Sequence, residues 1–231
     1  MRFRVLGPLE VTGADGPIAL GGPKQRTVLA HLLLAANRVV STEQLIDAVW
    51  GDEPPGSARN TLQSYVSSLR GVLGDDRLVH RPPGYSLVVA PEEVDALRFE
   101  TLLRDARKAA PVDPRTSLGL LEDALALWRG EALADVADRL SLAGEATRLD
   151  ELRLAAQEDR IEALLAAGEH ARAASDLERL LSEHPLRERL WASLMLALYR
   201  DGRQSEALQA FQRAREILAD ELGIDPSPEL A

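Results

Sequence analysis

Between Pro54 and Val89 the chain carries a breaker cluster, one long periodic segment and two short apolar runs, and this stretch constrains the fold more than any other. The breakers are Glu53-Pro54-Pro55-Gly56, and Ser57 follows them at a position suited to cap a helix through its side-chain oxygen. Leu62, Tyr65, Val66, Leu69, Val72 and Leu73 then recur at three- and four-residue spacing, which predicts a helix over 57–73 with one narrow apolar face. The opposite face has Asn60, Ser64, Ser67 and Gly71 along its centre, Thr61, Gln63, Ser68 and Arg70 on its flanks, and Arg59 near its start. No acidic residue falls on this helix. A merely solvated face is ordinarily filled by Glu and Lys, because Ser and Asn are weak helix formers, so these side chains point to selection for something other than helix stability. Beyond Gly74-Asp75-Asp76, Arg77 to Arg81 and Tyr85 to Val89 read as two strands joined by Pro82-Pro83-Gly84, a hairpin with Arg81 at its tip.

A helix with a neutral-to-basic polar face followed by such a hairpin is the pattern of a winged helix. Asn and Gln can bond adenine in bidentate fashion, and Ser or Thr can contact bases or phosphates, so the face suits a DNA major groove. The preceding residues fit the same plan. Phe3, Val5, Leu9 and Val11 lie in a strand-like segment, Gly13 to Pro17 make a turn, and Ile18 to Leu20 form a short return strand. Pro23 opens a helix with Val28, Leu29, Leu32, Leu33 and Ala36 on its apolar face. Lys24, Gln25 and Arg26 sit in its first turn, where cations oppose the helix dipole, so either they are tolerated at the surface or an anion such as a DNA phosphate sits at that terminus. Val39 and Val40 are an extended link, and Ser41-Thr42-Glu43-Gln44 is a capping box for a helix carrying Leu45, Ile46, Val49 and Trp50, with Trp50 read as a core anchor.

Charge divides unevenly along the chain. The net charge is −10, but residues 1–90 hold nine Lys and Arg against eight Asp and Glu, whereas residues 91–231 hold eighteen against twenty-nine. A net +1 is modest for a DNA-binding module and implies weak, strongly salt-dependent affinity per protomer, so dimerisation or a protein partner is expected to help. From Pro91 onward, after a polar link Pro91-Glu92-Glu93-Val94-Asp95, periodic apolar residues alternate with breakers at Pro111, Pro114, Gly130, Gly168, Pro185 and Gly202. This spacing describes consecutive helices. Leu97, Phe99, Leu102 and Leu103 face inward from the first, Leu118, Leu121, Leu125 and Trp128 from the second, and a long helix from about Leu142 to Ala167 follows. A 34-residue shift aligns Ala173 with Ala207, Leu177 with Phe211 and Leu180 with Ala214, which points to a tetratricopeptide-like (TPR-like) stacked array, with an ordinary helical bundle as the alternative. The fold class is therefore an α+β N-terminal winged helix-turn-helix over 1–90, followed by an all-α TPR-like domain over 91–231.

Several function classes are disfavoured. No Cys is present, which removes disulfides and thiolate metal sites and suits a cytoplasmic chain. Met1-Arg2-Phe3-Arg4-Val5 leads into a strand rather than a signal peptide, and no apolar run is long enough for a bilayer, so no membrane association is expected. The four histidines, His31, His80, His170 and His184, are scattered without metal-ligand spacing, and Gly21-Gly22-Pro23-Lys24-Gln25-Arg26-Thr27 lacks phosphate-loop spacing. No catalytic group, metal or cofactor is expected.

Residues 2–90 resemble the OmpR/PhoB-type winged helix through "STEQLIDAVWGDEPP", "SARNTLQSYVSSLRGVLG" and "RLVHRPPGYSL". Nearly the whole chain, with "GPKQRTVLAHLLLAANRVVS" among its specific phrases, resembles the SARP family (Streptomyces antibiotic regulatory proteins), which joins this domain to a bacterial transcriptional activation domain (BTAD). The resemblance implies a transcriptional activator that binds direct repeats near a promoter as side-by-side protomers and contacts RNA polymerase, including its sigma factor, for a secondary-metabolite gene cluster. It places the recognition helix at Ser57 to Leu73 and the wing at Arg77 to Val89, with a tip that carries Pro82-Pro83 where the type usually has a Gly-containing turn. No phosphoacceptor receiver is expected ahead of the winged helix, so phosphorylation in cis is not the switch that the resemblance implies. The expected DNA-binding residues are Asn60, Gln63, Ser64 and Ser67 at base edges, Thr61 on the flank of the same face, and Lys24, Arg26, Arg59, Arg70 and Arg81 toward phosphates or the minor groove. The alternatives are a TPR-type protein-interaction scaffold and a repressor using the same winged helix. The ending "ELGIDPSPELA" resembles a junction at which larger family members continue, so the chain fits either a piece of a longer regulator or a small stand-alone one.

Overall fold

Local signals account for most element boundaries in the chain's structure, a computed structural model that describes residues 1–136, 140–228 and 230. Two compact units are present, one formed by residues 1–102 and 124–153, the other by 103–123 and 154–231. The first unit begins with a three-stranded antiparallel meander of β1 (Arg2–Arg4), β2 (Glu10–Gly13) and β3 (Gly16–Pro17), in which Phe3 faces Val11 and Gly13 faces Gly16. The return strand starts earlier than the expected Ile18: Ala14 and Asp15 alone make the turn, and the Ile18 N–H continues the pairing to the Val11 carbonyl at 2.8 Å. Phe3, Val5, Leu9 and Val11 are all fully buried.

Three helices follow. In α1 (Pro23–Leu34) proline occupies the first turn, the Gln25 side chain accepts a bond from the Gly22 N–H at 2.9 Å, and Val28, Leu29, Leu32 and Leu33 are buried. The capping box at α2 (Thr42–Trp50) forms as expected, with the Gln44 N–H donating to Ser41 Oγ at 3.1 Å and the Ser41 N–H to Gln44 Oε1 at 3.0 Å. At α3 (Ala58–Leu73) the expected side-chain cap is absent. The Ser57 carbonyl instead accepts both the Thr61 N–H at 2.9 Å and the Thr61 hydroxyl at 3.0 Å. Leu62, Val66, Leu69 and Leu73 bury the apolar stripe, Tyr65 is half-buried, and Val72 stands 40% exposed outside it.

The wing hairpin pairs β5 (Leu78–Arg81) with β6 (Gly84–Leu87), around a cis peptide at Pro82-Pro83, and β6 is the central strand because β4 (Val40–Ser41) joins its other edge. Gly84 is required by that junction. A Cβ there would meet the Val40 carbonyl oxygen and lie 2.7 Å from the Ser41 Cα. Asn37, with φ of 63°, holds the exit of the hairpin like a short extra strand: its Nδ2 donates to the Val89 carbonyl at 2.9 Å and its Oδ1 accepts the Val89 N–H at 3.1 Å.

The polar link at 91–95 is a structural joint. Pro91–Glu93 form a 3₁₀ turn, Val94 bridges to Phe3, and Asp95 opens α4 (Asp95–Ala109) with its carboxylate inside, accepting the N–H groups of Val5 at 2.8 Å, Leu6 at 3.1 Å and Ala96 at 2.8 Å. Burial pushes the Asp95 pKa up against the opposing pull of those three N–H groups and Arg129. In the same unit the Arg129 and Leu133 N–H groups bond the Leu6 and Val5 carbonyls at 2.8 and 2.9 Å. Trp128 lies beyond the end of α5 (Pro114–Leu125) rather than on it, edge-on to Phe99 at 5.5 Å and beneath Arg153 at 5.0 Å.

In the second unit α7 (His170–Glu183), α8 (Glu188–Arg200) and α9 (Gln204–Leu222) follow the C-terminal part of α6 (Leu140–Ala166), with α8 packed on both α7 and α9. The 34-residue offset superposes α7 on α9 in sequence, with Ala173, Leu177 and Leu180 buried in one and Ala214 in the other, while Ala207 and Phe211 are half-buried. Trp191 is fixed by its Nε1 donating to the Pro185 carbonyl at 2.8 Å and by Arg213 over its ring at 5.4 Å. Among the described residues no helix is long and apolar enough to cross a membrane.

Candidate nucleic-acid interface

The exposed face of α3 is the centre of the candidate site. Arg59, Asn60, Gln63, Ser64 and Ser67 are all exposed on it, Thr61 and Arg70 are half-buried, and no carboxylate belongs to the helix. The helix presents this face because its other side is committed to α1 and α2. Ser64 Oγ bonds back to the Asn60 carbonyl at 3.2 Å, as Thr61 does to Ser57, so these hydroxyls are satisfied within the helix when no partner is present.

The five cations of the expected set have different environments. Arg26 donates to the Leu9 carbonyl and pairs with Asp135, whose other oxygen accepts the Leu9 N–H at 2.7 Å, so its guanidinium is engaged within the first unit. Arg70 donates from Nε to the Leu78 carbonyl at 2.6 Å and lies 5.9 Å from the Tyr85 ring, tying α3 to the wing strands. Arg59 pairs with Glu43 at 2.8 Å in an exposed contact that solvent weakens. Arg81 is exposed at the end of β5. Lys24 has no carboxylate partner among the described residues and lies over the Trp50 ring, 5.1 Å from its centroid. Trp50 is half-buried rather than a closed core residue, and its other ring contact is Tyr65, nearly parallel at 6.2 Å and 12°.

The base of the wing is held from the link. Arg77 grips Glu93 by donating from both terminal guanidinium nitrogens, Nη2 to Oε1 at 2.8 Å and Nη1 to Oε2 at 2.9 Å. Those bonds, with the Ala90 N–H at 3.0 Å, hold the Glu93 carboxyl at about 2 against an ordinary 4.5, and Arg77 is raised in return. Sequence reasoning missed this clamp and the Asp95 joint, since both acids read as ordinary polar residues of a link. It also missed the Lys24–Trp50–Tyr65 column. A cation, an indole and a phenol on three successive helices was the available signal, but their spacing in sequence does not show that they meet. No group of acids and histidines that could hold a metal ion occurs among the described residues.

A three-helix unit with an exposed, acid-free polar face on α3 and a β-hairpin wing, followed by a stacked helical array, defines a winged-helix regulator of the OmpR/PhoB type. The family described as "Transcriptional regulatory protein, C terminal" matches residues 16–87, and "Bacterial transcriptional activator domain" matches 94–231. The chain belongs to the SARP family of transcriptional regulators. It is 43% identical to "Regulatory protein AfsR" of Streptomyces griseus over 100% of this chain and 24% of that relative, and 38% identical to "Regulatory protein DnrI" of Streptomyces peucetius over 100% of this chain and 89% of that one. The chain thus spans under a quarter of the length of this AfsR relative. Among solved structures, Mycobacterium tuberculosis EmbR in complex with a low affinity phosphopeptide is similar at 39% identity and a TM-score of 0.94, covering 99% of this chain and 62% of that one.

Proposed function

We propose that this chain is a sequence-specific DNA-binding transcriptional activator, acting in the cytoplasm, that binds direct repeats near a promoter as side-by-side protomers and recruits RNA polymerase, including its sigma factor, at a secondary-metabolite gene cluster. The observation that carries this reading is the exposed, acid-free face of α3, where Asn60, Gln63, Ser64 and Ser67 stand together. Their amides and hydroxyls match the donor and acceptor pattern of base edges in a major groove. Arg59, Lys24 and Arg81 supply sequence-independent attraction to phosphates, and Arg70 orients the wing; the Arg59 pair with Glu43 is exposed enough to exchange for a phosphate. In this reading residues 1–90 read DNA and the acidic residues 91–231 face protein, their charge keeping them off the phosphates.

The test is an electrophoretic shift on the chain's own upstream region at two salt concentrations, with scrambled competitor. A competitor-resistant complex of two protomers is expected. Gln63→Ala or Ser64→Ala should reduce discrimination between target and scrambled duplex, whereas Arg81→Ala should weaken both alike. A run-off transcript that increases on adding the chain to polymerase separates activation from repression. Equal binding of target and scrambled duplex by the wild type would overturn the reading in favour of a protein-interaction scaffold.

A further inference from the structure

We propose that Trp50 and Tyr65 are positioning residues that hold the Lys24 ammonium ready for a DNA backbone phosphate, and so set the register of the phosphate anchor relative to the reading helix. The inference rests on the DNA-reading function proposed above. Lys24 is on α1, Trp50 ends α2 and Tyr65 lies in α3 between Ser64 and Val66, so one column joins all three helices. The ammonium sits 5.1 Å from the indole centroid, inside the range of a cation–π contact and over the aromatic system best suited to it. The indole is held in turn by the Tyr65 ring, 6.2 Å away and within 12° of parallel.

Three features separate this lysine from an ordinary solvated one. It is half-buried, it has no carboxylate partner among the described residues, and it lies in the first turn of a helix, where a cation is disfavoured by the dipole. An aromatic face, unlike a carboxylate, holds an ammonium without neutralising it, so the full charge remains for an incoming anion. A lysine stem has four flexible bonds, and fixing them at the moment of binding weakens association; the Trp50 platform fixes them beforehand. Because Tyr65 neighbours Ser64 on the reading helix, a shift of α3 moves the platform with it.

The experiment measures binding of target and scrambled duplex across a salt series for the wild type, Lys24→Met, Trp50→Leu, Trp50→Phe, Tyr65→Leu and the Lys24→Met/Trp50→Leu double variant, with thermal midpoints recorded for each. Loss of one phosphate contact should make the dependence of log affinity on log salt shallower by about 0.9, or roughly eightfold weaker binding at 0.1 M salt. That change is expected for Lys24→Met and Trp50→Leu, with the double variant no weaker than either alone and the ratio of target to scrambled binding unchanged. Tyr65→Leu should fall between these variants and the wild type, and Trp50→Phe, which keeps an aromatic face, should retain the wild-type slope. A Trp50→Leu or Lys24→Met variant with the wild-type slope, or a double variant whose losses add, overturns the proposal while leaving the reading of α3 intact. A wild type without preference for target would instead sink the reading on which it rests.

Discussion

Replacing Glu93 by Gln tests the clamp beneath the wing. The wild-type carboxylate accepts two bonds from Arg77 and one from the Ala90 N–H, and the N-terminal amine lies 3.5 Å away. Its pKa of about 2, against an ordinary 4.5, corresponds to roughly 3 kcal/mol favouring the charged form in the folded state. With 19% of the Glu93 side chain and 26% of Arg77 open to solvent, screening lowers the net contribution to about 1 to 2 kcal/mol. The folded value lies below the unfolded one, so this stability is complete above pH 4.5 and disappears as the pH falls toward 2. Urea denaturation of the wild type and Glu93→Gln, followed from pH 7 to pH 3, should therefore show a gap that is full at neutral pH and narrows steadily in acid. Equal stabilities at pH 7, or a gap of unchanged size at pH 3, would refute the reasoning.

Three further substitutions probe the same unit. Ser86 is fully buried and its hydroxyl has no partner among the described residues, so Ser86→Ala should raise the thermal midpoint, with a gain of about 1 kcal/mol; a lower midpoint would contradict it. Gly84→Ala pushes a methyl group into the Val40 carbonyl and should cost about 1 to 3 kcal/mol in chemical denaturation by separating β4 from β6, an expectation that wild-type stability would defeat. Asp95→Asn turns one acceptor toward the Val5 or Leu6 N–H into a donor and should cost about 1 to 3 kcal/mol, seen as a lower urea midpoint and as faster hydrogen exchange at those two amides. Retained protection of both amides would count against it.

The helices and the wing were legible because their causes are local. Proline at the start of α1, the reciprocal Ser41 and Gln44 bonds, and the apolar stripe of α3 all act within a few residues, and the 34-residue offset between α7 and α9 is written in the chain itself. What was hidden depends on residues far apart. Arg26 reads as a free cation until Asp135, 109 positions away, is brought against it, and Asp95 reads as an ordinary helix-opening acid until the Val5 and Leu6 amides, about 90 positions earlier, point at it. Ser57 shows the limit of local reasoning too. The residue type suited a side-chain cap, but its backbone at φ −90° and ψ 7° lacks the extended conformation that such a cap needs.

Asp95 also bears on how such a protein can be recombined. Its two oxygens complete the backbone of the N-terminal strand region, and its neighbour Val94 extends the sheet alongside Phe3. A chimera that carried the proposed DNA-contacting residues but stopped at 90 would inherit every candidate base and phosphate contact, and would leave the Val5 and Leu6 amides and one sheet edge without the partners that Asp95 and Val94 supply. The stretch that holds the candidate contacts and the unit that folds thus have different borders, and a graft designed on the first alone would carry the script without the spine that holds its pages.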